Sequence, residues 1–327
     1  MEIIIGGAPE TTETITGAAD FSWVVQQFYY QVRDGQRISA RGRPYAKNGH
    51  TRFQQLYNWV QKFAEARGET PLSDITDAWV KDFLLFLYDH PLTLNTVSGL
   101  INNIHAIVNA LIGDGLPLKA LQFRVWGEGA DTVYNSEEEL RIIRKAKYSH
   151  KTLKLTRDVF LIQSYLGVRL GTLKRFLRDP LHFLFKEHGK WYIRIKTNKT
   201  GAFVVIPVKS FIYKILKKRK FTFERPYYEH YYSGLIKVMA KEAGLTQKHA
   251  YSKTIGGKTV EFVSPKCDLM SSHTARRNFA TNSFLAGVPM DQIMLITGHK
   301  TREAFLRYLR ADSLANAYAV SRLKFFK

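Results

Sequence analysis

The sequence predicts a mainly α-helical chain with a small antiparallel sheet, an α+β protein in two domains. Three observations carry this. Apolar residues recur at helical spacing through most of the chain. One stretch, "LHFLFKEHGKWYIRIKTNKTGAFVVIPV" at 181–208, alternates instead with a period of two and is broken twice by turn residues. Between the two helical regions lies "GDGLPLKALQFRVWGEGADTVY", rich in Gly, with a Pro and no clear period, as a connection would be. The expected organisation is a flexible start over 1–20, a helical domain over 21–115, a linker over 116–135, a second domain over 136–310 and a tail helix over 311–327.

Four segments of the first domain have the 3.6-residue rhythm of an amphipathic helix: "FSWVVQQFYYQVR" at 21–33, "HTRFQQLYNWVQKFAEAR" at 50–67, "DITDAWVKDFLLFLYDH", and "TLNTVSGLINNIHAIVNALI" ending at Gly113. Ser136 followed by Glu139 forms a capping-box pattern that opens the second domain, which continues as helix through "TRDVFLIQSYLG". The alternating stretch reads as a three-stranded meander with turns at His188-Gly189 and Lys199-Thr200-Gly201. In its middle strand Trp191, Ile193 and Ile195 point one way, with Tyr192, Arg194 and Lys196 the other. Helices follow, then a small hairpin around Gly256-Gly257. A helix capped by Ser271 or Ser272 and stopped at Gly287 comes next, then two more. In the tail, Leu314, Ala317, Tyr318 and Leu323 fall at helix-like intervals.

Composition narrows the class. The 327 residues are 45% hydrophobic and 13% aromatic, ordinary for a soluble globular protein. No apolar run is expected to serve as a membrane helix, which takes about 20 residues. The acidic start "MEIIIGGAPETTETITG" does not resemble a secretory signal. A single cysteine, Cys267, excludes an internal disulfide and fits a reducing compartment. No Cys or His pair has metal-ligand spacing and there is no P-loop, so no metal or other cofactor is expected.

Charge is more telling. The net charge is +21, and it is unevenly placed: residues 1–130 hold 11 Lys and Arg against 13 Asp and Glu, leaving 38 against 15 for the rest. Such an excess is the electrostatic footprint of a polyanion partner, most simply nucleic acid. The first domain, neutral overall, still concentrates six basic residues and one acid between Arg33 and Arg52.

Within the basic half stands "SSHTARRNFAT". His273 and Arg276 are three apart, one turn of a helix, near an N-terminus whose unpaired N–H groups favour an anion. Alone this is weak. His299 follows in "TGH" and Tyr308 nine residues later, while Arg169 stands upstream in "YLGVRLGTL" and Lys199 at a turn eight residues before Pro207. By itself Tyr308, beside Phe305, Leu306 and Leu309, reads as a half-buried helix residue. Tyr318 lies nineteen residues after His299, and Lys196 competes with Lys199.

Together these residues resemble the tyrosine recombinases, the phage-integrase-like enzymes. That family carries an Arg in a "GLR" turn, a Lys on a hairpin ending in "IPL", H-x-x-R, G-H and a Tyr nine residues on. The resemblance spans about 136–310, and the all-α first domain looks like the family's core-binding domain. It implies a site-specific DNA recombinase that forms a covalent 3′-phosphotyrosine at Tyr308. Arg169 and Arg276 would hold the scissile phosphate, His273 would take the tyrosine proton, Lys199 would protonate the leaving 5′-oxygen, and His299 would donate to a phosphate oxygen. Where the family has Ser and an acid after its first Arg, this chain has Gly171 and Thr172.

The expected contacts to the DNA backbone are Arg33, Arg37, Arg41, Arg43, Lys47 and Arg52, then Lys145, Lys147, Lys151 and Lys154, with Arg277 beside the site and "KILKKRK" at 214–220 as a further grip. The resemblance further implies double-stranded DNA as partner, a tetramer on DNA built through the tail helix, an optional DNA-bending accessory protein, a bacterial cytoplasmic setting, and integration or excision of a mobile element. Alternatives are a nicking-closing topoisomerase of type IB, or a DNA-binding protein whose active site has decayed.

Overall fold

The computed structural model describes residues 15–39, 42–129, 133–196, 203–223, 229–306, 309, 317 and 320–321. The chain divides into two compact units, Met1–Ala130 with Ser252–Glu261, and Asp131–Tyr251 with Phe262–Lys327.

The first unit is built on four helices, α1 (Phe21–Arg33), α2 (Lys47–Arg67), α3 (Asp77–Tyr88) and α4 (Leu94–Gly113). Thr76 and Thr93 start the last two by accepting from the N–H groups of Trp79 and Thr96. The apolar stripes meet in one core, where Phe63 packs edge-on against Trp79, Phe83 and Phe86, with ring centroids 5.3 Å apart in each pair. By length and apolarity alone α4 would pass as a membrane span, against expectation from the sequence. Its apolar residues instead line this core, from Val97 to Leu111.

Residues 116–129 form no helix or strand, yet they are fastened. Leu116 and Leu121 are buried in the same core. Backbone groups that lack a sheet partner are satisfied by side chains of α3 and α4. The Asp77 carboxylate accepts from Gln122 and Phe123 N–H, Ser98 Oγ donates to Val125 O (2.7 Å), and His105 Nε2 lies 2.8 Å from Phe123 O.

The second unit opens at Ser136, whose hydroxyl and Glu139 cap α5 (Glu137–Lys145) reciprocally. At its centre runs α6 (Lys151–Leu166), buried along most of its length. A tight turn leads to α7 (Leu170–Arg178) and the short α8 (Pro180–Phe183). The expected meander follows as β1 (Leu184–Glu187), β2 (Lys190–Lys196) and β3 (Phe203–Pro207), antiparallel in the order β1-β2-β3. Ile193 and Ile195 of β2 are buried and Arg194 and Lys196 exposed, so the alternation chose the inward face correctly. Next come α9 (Ser210–Lys218), α10 (Glu229–Glu242) and the hairpin β4 (Lys248–Ile255) and β5 (Lys258–Pro265), turning at Gly256-Gly257. Residues 252–261 of this hairpin belong to the first unit: Gly256 N donates to Leu92 O (3.0 Å), and Thr254 N and Oγ1 donate to the Glu128 carboxylate. Last are α11 (Ser272–Leu285), α12 (Met290–Thr297) and α13 (Arg302–Leu306).

Helix α6 packs against α11, α10, α5 and α9, so it organises the unit. A polar network bolts the entry of the unit to α11. Asn135 N donates to Asn278 Oδ1 (2.7 Å), Asn278 Nδ2 donates to Ser164 Oγ (3.0 Å), and Asn282 Nδ2 donates to Asn135 O (3.0 Å). Asn135, Ser164 and Asn278 are all buried, so each lost bond would strand a partner.

Candidate functional site

Two helix ends and one helix start set the site. Helix α6 stops at Gly167, in the left-handed region at φ 66°, and the chain reverses within two residues so that Arg169 becomes the N-cap of α7. The glycine is required on two counts. L-residues are strained at this φ, and a Cβ there would stand 2.4 Å from the Phe279 ring of α11. Gly171 is the second residue of α7, not its cap, and Thr172 is buried. The helix forms without the Ser and acid of the family pattern. Helix α12 ends the same way, at Gly298 with φ 67°, which places His299 just outside it.

The start is that of α11. Ser271 is the N-cap, its N–H donating to Thr274 Oγ1 (3.0 Å), and His273 and Arg276 are the second and fifth helical residues. His273 is exposed, whereas Arg276 is only 2% exposed, the bulkiest fully buried side chain described. The buried guanidinium draws the segments together. Its Nη1 donates to Gly167 O (2.7 Å), its Nη2 donates to Thr297 O, and His299 Nε2 lies 3.3 Å from Nη2. An arginine cannot accept, so His299 Nε2 is the acceptor. The ring's proton is then on Nδ1, 2.8 Å from Thr297 Oγ1, whose hydroxyl donates on to Ile293 O (2.8 Å). The imidazole also meets the edge of Phe305 (5.4 Å).

Thus residues 167–169, 276 and 297–299, far apart in sequence, converge on one cation. A buried guanidinium that binds two carbonyls carries a charge with no carboxylate in these bonds, an arrangement that attracts an anion. Arg169 is half-buried, and no described residue hydrogen-bonds to its guanidinium. Lys199 and Tyr308 lie outside the described residues. Lys196, the alternative lysine, is the exposed last residue of β2. Among the described residues no group of three or more His, Cys, Asp or Glu is placed to hold a metal.

The expected backbone contacts divide. Arg43, Lys47, Arg52, Lys145, Lys147, Lys151 and Lys154 are exposed, and Arg277 is half-buried beside Arg276. Arg33 is exposed but pairs with Asp34 at 2.7 Å. Arg37 is committed inside its own unit: it pairs with Asp114 (2.7 Å), donates to Gln31 Oε1 (2.6 Å) and covers the Phe28 ring. Arg41 lies outside the described residues. Within "KILKKRK", Lys214, Lys217, Lys218 and Lys220 are exposed, but Arg219 pairs with buried Asp158 (2.6 Å). The sequence reading missed Gly167 and Thr297, whose carbonyls accept from Arg276. It also missed the Asn135–Asn278 network, although an Asn two residues after Arg276, one helical face away, was the available signal.

Known proteins share this architecture. A structure of the XerH site-specific recombinase bound to palindromic difH substrate, a post-cleavage complex, matches at TM-score 0.62 and 15% identity over 91% of this chain and 84% of that one. A lambda integrase dimer bound to a COC′ core site matches at 0.62 and 14%, over 89% and 77%. The Tn1549 transposon integrase in complex with a circular intermediate DNA matches at 0.61 and 16%, over 92% and 99%. The chain therefore has the fold of the tyrosine recombinases. Residues 33–119, within the helical unit, match the family model of the phage integrase SAM-like domain. No curated protein matches the chain.

Proposed function

We propose that this protein is a site-specific DNA recombinase that cuts and rejoins duplex DNA through Tyr308, integrating or excising a bacterial mobile element. One observation carries the reading: Arg276 gathers the turn before Arg169 and the turn bearing His299 around a buried cation. A phosphodiester brings one negative charge and gains another as an oxygen attacks. Fixed guanidinium charges stabilise that gain at any working pH.

Tyr308 Oη attacks phosphorus, the bond to the 5′-oxygen breaks, and a 3′-phosphotyrosine forms. Ionising a tyrosine at pH 7 costs about 4 kcal/mol from its ordinary pKa near 10, so a base must take the proton as attack proceeds. Exposed His273, at the start of α11, is assigned that task, and Lys199 protonates the departing 5′-oxygen, which leaves as the 5′-hydroxyl. Arg169 reaches the non-bridging oxygens. His299 becomes a donor to phosphate once its Nε2 takes up a proton and turns from Arg276. A second strand's 5′-hydroxyl then displaces the tyrosine, and the phosphodiester is restored without an outside energy source. Strand exchange of this kind needs several subunits on the DNA, and a tetramer is the assembly proposed.

A second reading has its own support. Arg276 is already bonded to two carbonyls, and Gly171-Thr172 replace the Ser-acid pair. This would suit a protein that binds DNA without cutting it. One experiment separates the two. DNA of host and element, carrying scattered nicks that let a cut end diffuse away, is mixed with protein, denatured, and the protein-linked DNA sequenced. Linked DNA at one discrete sequence from wild type, and none from Tyr308→Phe, is expected. Linked ends at scattered positions would indicate a topoisomerase, and tight binding with no link a binding protein.

A further inference from the structure

The outward face of the meander combines aromatic rings with cations. Phe185 and Tyr192 are cross-strand partners stacked at 5.5 Å. Phe203 pairs with Lys196 across β2 and β3 and is 64% exposed, with Arg194 5.3 Å and Lys196 5.9 Å from its ring centre. Beside them a cleft of about 690 Å³ opens between the sheet and Arg175 of α7. Among the described residues no acidic side chain lines it, and the Nε and Nη2 of Arg175 are buried with no hydrogen-bond partner.

We infer that this cleft binds unpaired nucleotides of single-stranded DNA, with a base stacked on Phe203 and phosphates held by Arg175, Arg194 and Lys196. Three cations with no counter-acid among the described residues call for an anion. The exposed ring between two of them calls for a flat apolar face on the same ligand. A duplex cannot supply both, because its base faces are stacked on each other and only edges and backbone are offered. An unstacked nucleotide supplies both, a base face for the ring and a phosphate for the cations, which is the combination that single-strand-binding surfaces use. The volume lies within the roughly 300–1,000 Å³ of small-ligand sites, enough for one or two nucleotides and too small for a protein domain. The chain's own C-terminal segment is a poor occupant, since 317–327 carries Arg322, Lys324 and Lys327 and no acid. The inference goes beyond the cleavage chemistry and holds whether or not Tyr308 cuts.

The test is fluorescence anisotropy with a labelled oligothymidine and, separately, a labelled duplex, in a Tyr308→Phe background that excludes covalent chemistry. Phe203→Ala, an exposed position, is expected to weaken oligothymidine binding about 5- to 150-fold, the range for losing one stacked base. Duplex affinity should be unchanged, because no charge is removed. Arg194→Ala should weaken oligothymidine binding and lower its salt slope by roughly 0.7. Equal losses on duplex and single strand would make this face part of a duplex grip and overturn the inference. Loss on neither would overturn it too, as would displacement of the oligothymidine by equimolar thymidine monophosphate, which would mark a free-nucleotide site.

Discussion

Replacing Gly167 by alanine probes the joint between α6 and α11 without touching a reacting group. The new Cβ would stand 2.4, 2.7 and 2.9 Å from three atoms of the Phe279 ring, closer than carbon atoms tolerate. The left-handed φ of 66° costs an alanine about 1–2 kcal/mol. Overpacking against the ring adds about 1–3 kcal/mol, and the lower entropy of the unfolded alanine chain returns about 0.4–1 kcal/mol. The expected loss is therefore about 1–5 kcal/mol. For a unit of this size that lowers Tm by roughly 2–18 °C. Thermal unfolding followed by circular dichroism measures it. The double variant with Phe279→Ala isolates the steric part, and a coupling of about 1–3 kcal/mol is expected between the two sites. Relief of the clash also pushes the Gly167 carbonyl away from Arg276. Trapped covalent DNA should therefore fall at temperatures where the variant is still folded, since a displacement of about 1 Å can cost roughly 100-fold. A Tm within about 2 °C of wild type, or no coupling to Phe279, would refute the account of this joint.

Other predictions follow from the same reasoning. Asn278→Leu keeps the volume but strands the Asn135 N–H and removes the donor to Ser164, so urea unfolding should show a loss of about 2–5 kcal/mol. Burial, the first cause, lowers the pKa of His105, whose neutral ring is 2% exposed and whose Nδ1 has no hydrogen-bond partner. The native state then binds fewer protons than the unfolded chain. Stability is full above the ordinary histidine pKa of about 6.5 and declines as pH falls from there toward the lowered value. Urea midpoints measured across this window should drop on the acid side in wild type and stay level in His105→Leu. Lys151→Ala, at an exposed position, should weaken DNA binding alike on all sequences and reduce the salt slope by about one, read from titrations at several salt concentrations.

Helices, the meander and the capping box at Ser136 were legible in the sequence because each is a local pattern. A 3.6 or 2.0 period records which face is buried, and Ser136 and Glu139 are three residues apart. The order and spacing of Arg169, His273, Arg276, His299 and Tyr308 were legible for the same reason: a motif is a set of intervals. What those side chains touch was not. Arg276 meets a carbonyl 109 positions away in Gly167 and another 21 away in Thr297, and only the packing of α6, α11 and α12 brings them within hydrogen-bond reach. Arg37 and Arg52 look alike in a basic stretch, yet Arg37 is neutralised by Asp114, 77 residues on, while Arg52 is exposed. That the apolar α4 lines a core was shown by its contacts, and the hairpin at Gly256 gave no sign that its tip belongs to the first unit. Local periodicity and spacing determined the elements and the candidate residues. Partners, burial and protonation were decided by tertiary contacts, because a hydrogen bond or an ion pair depends on distance in space and carries no mark in the interval between residues along the chain.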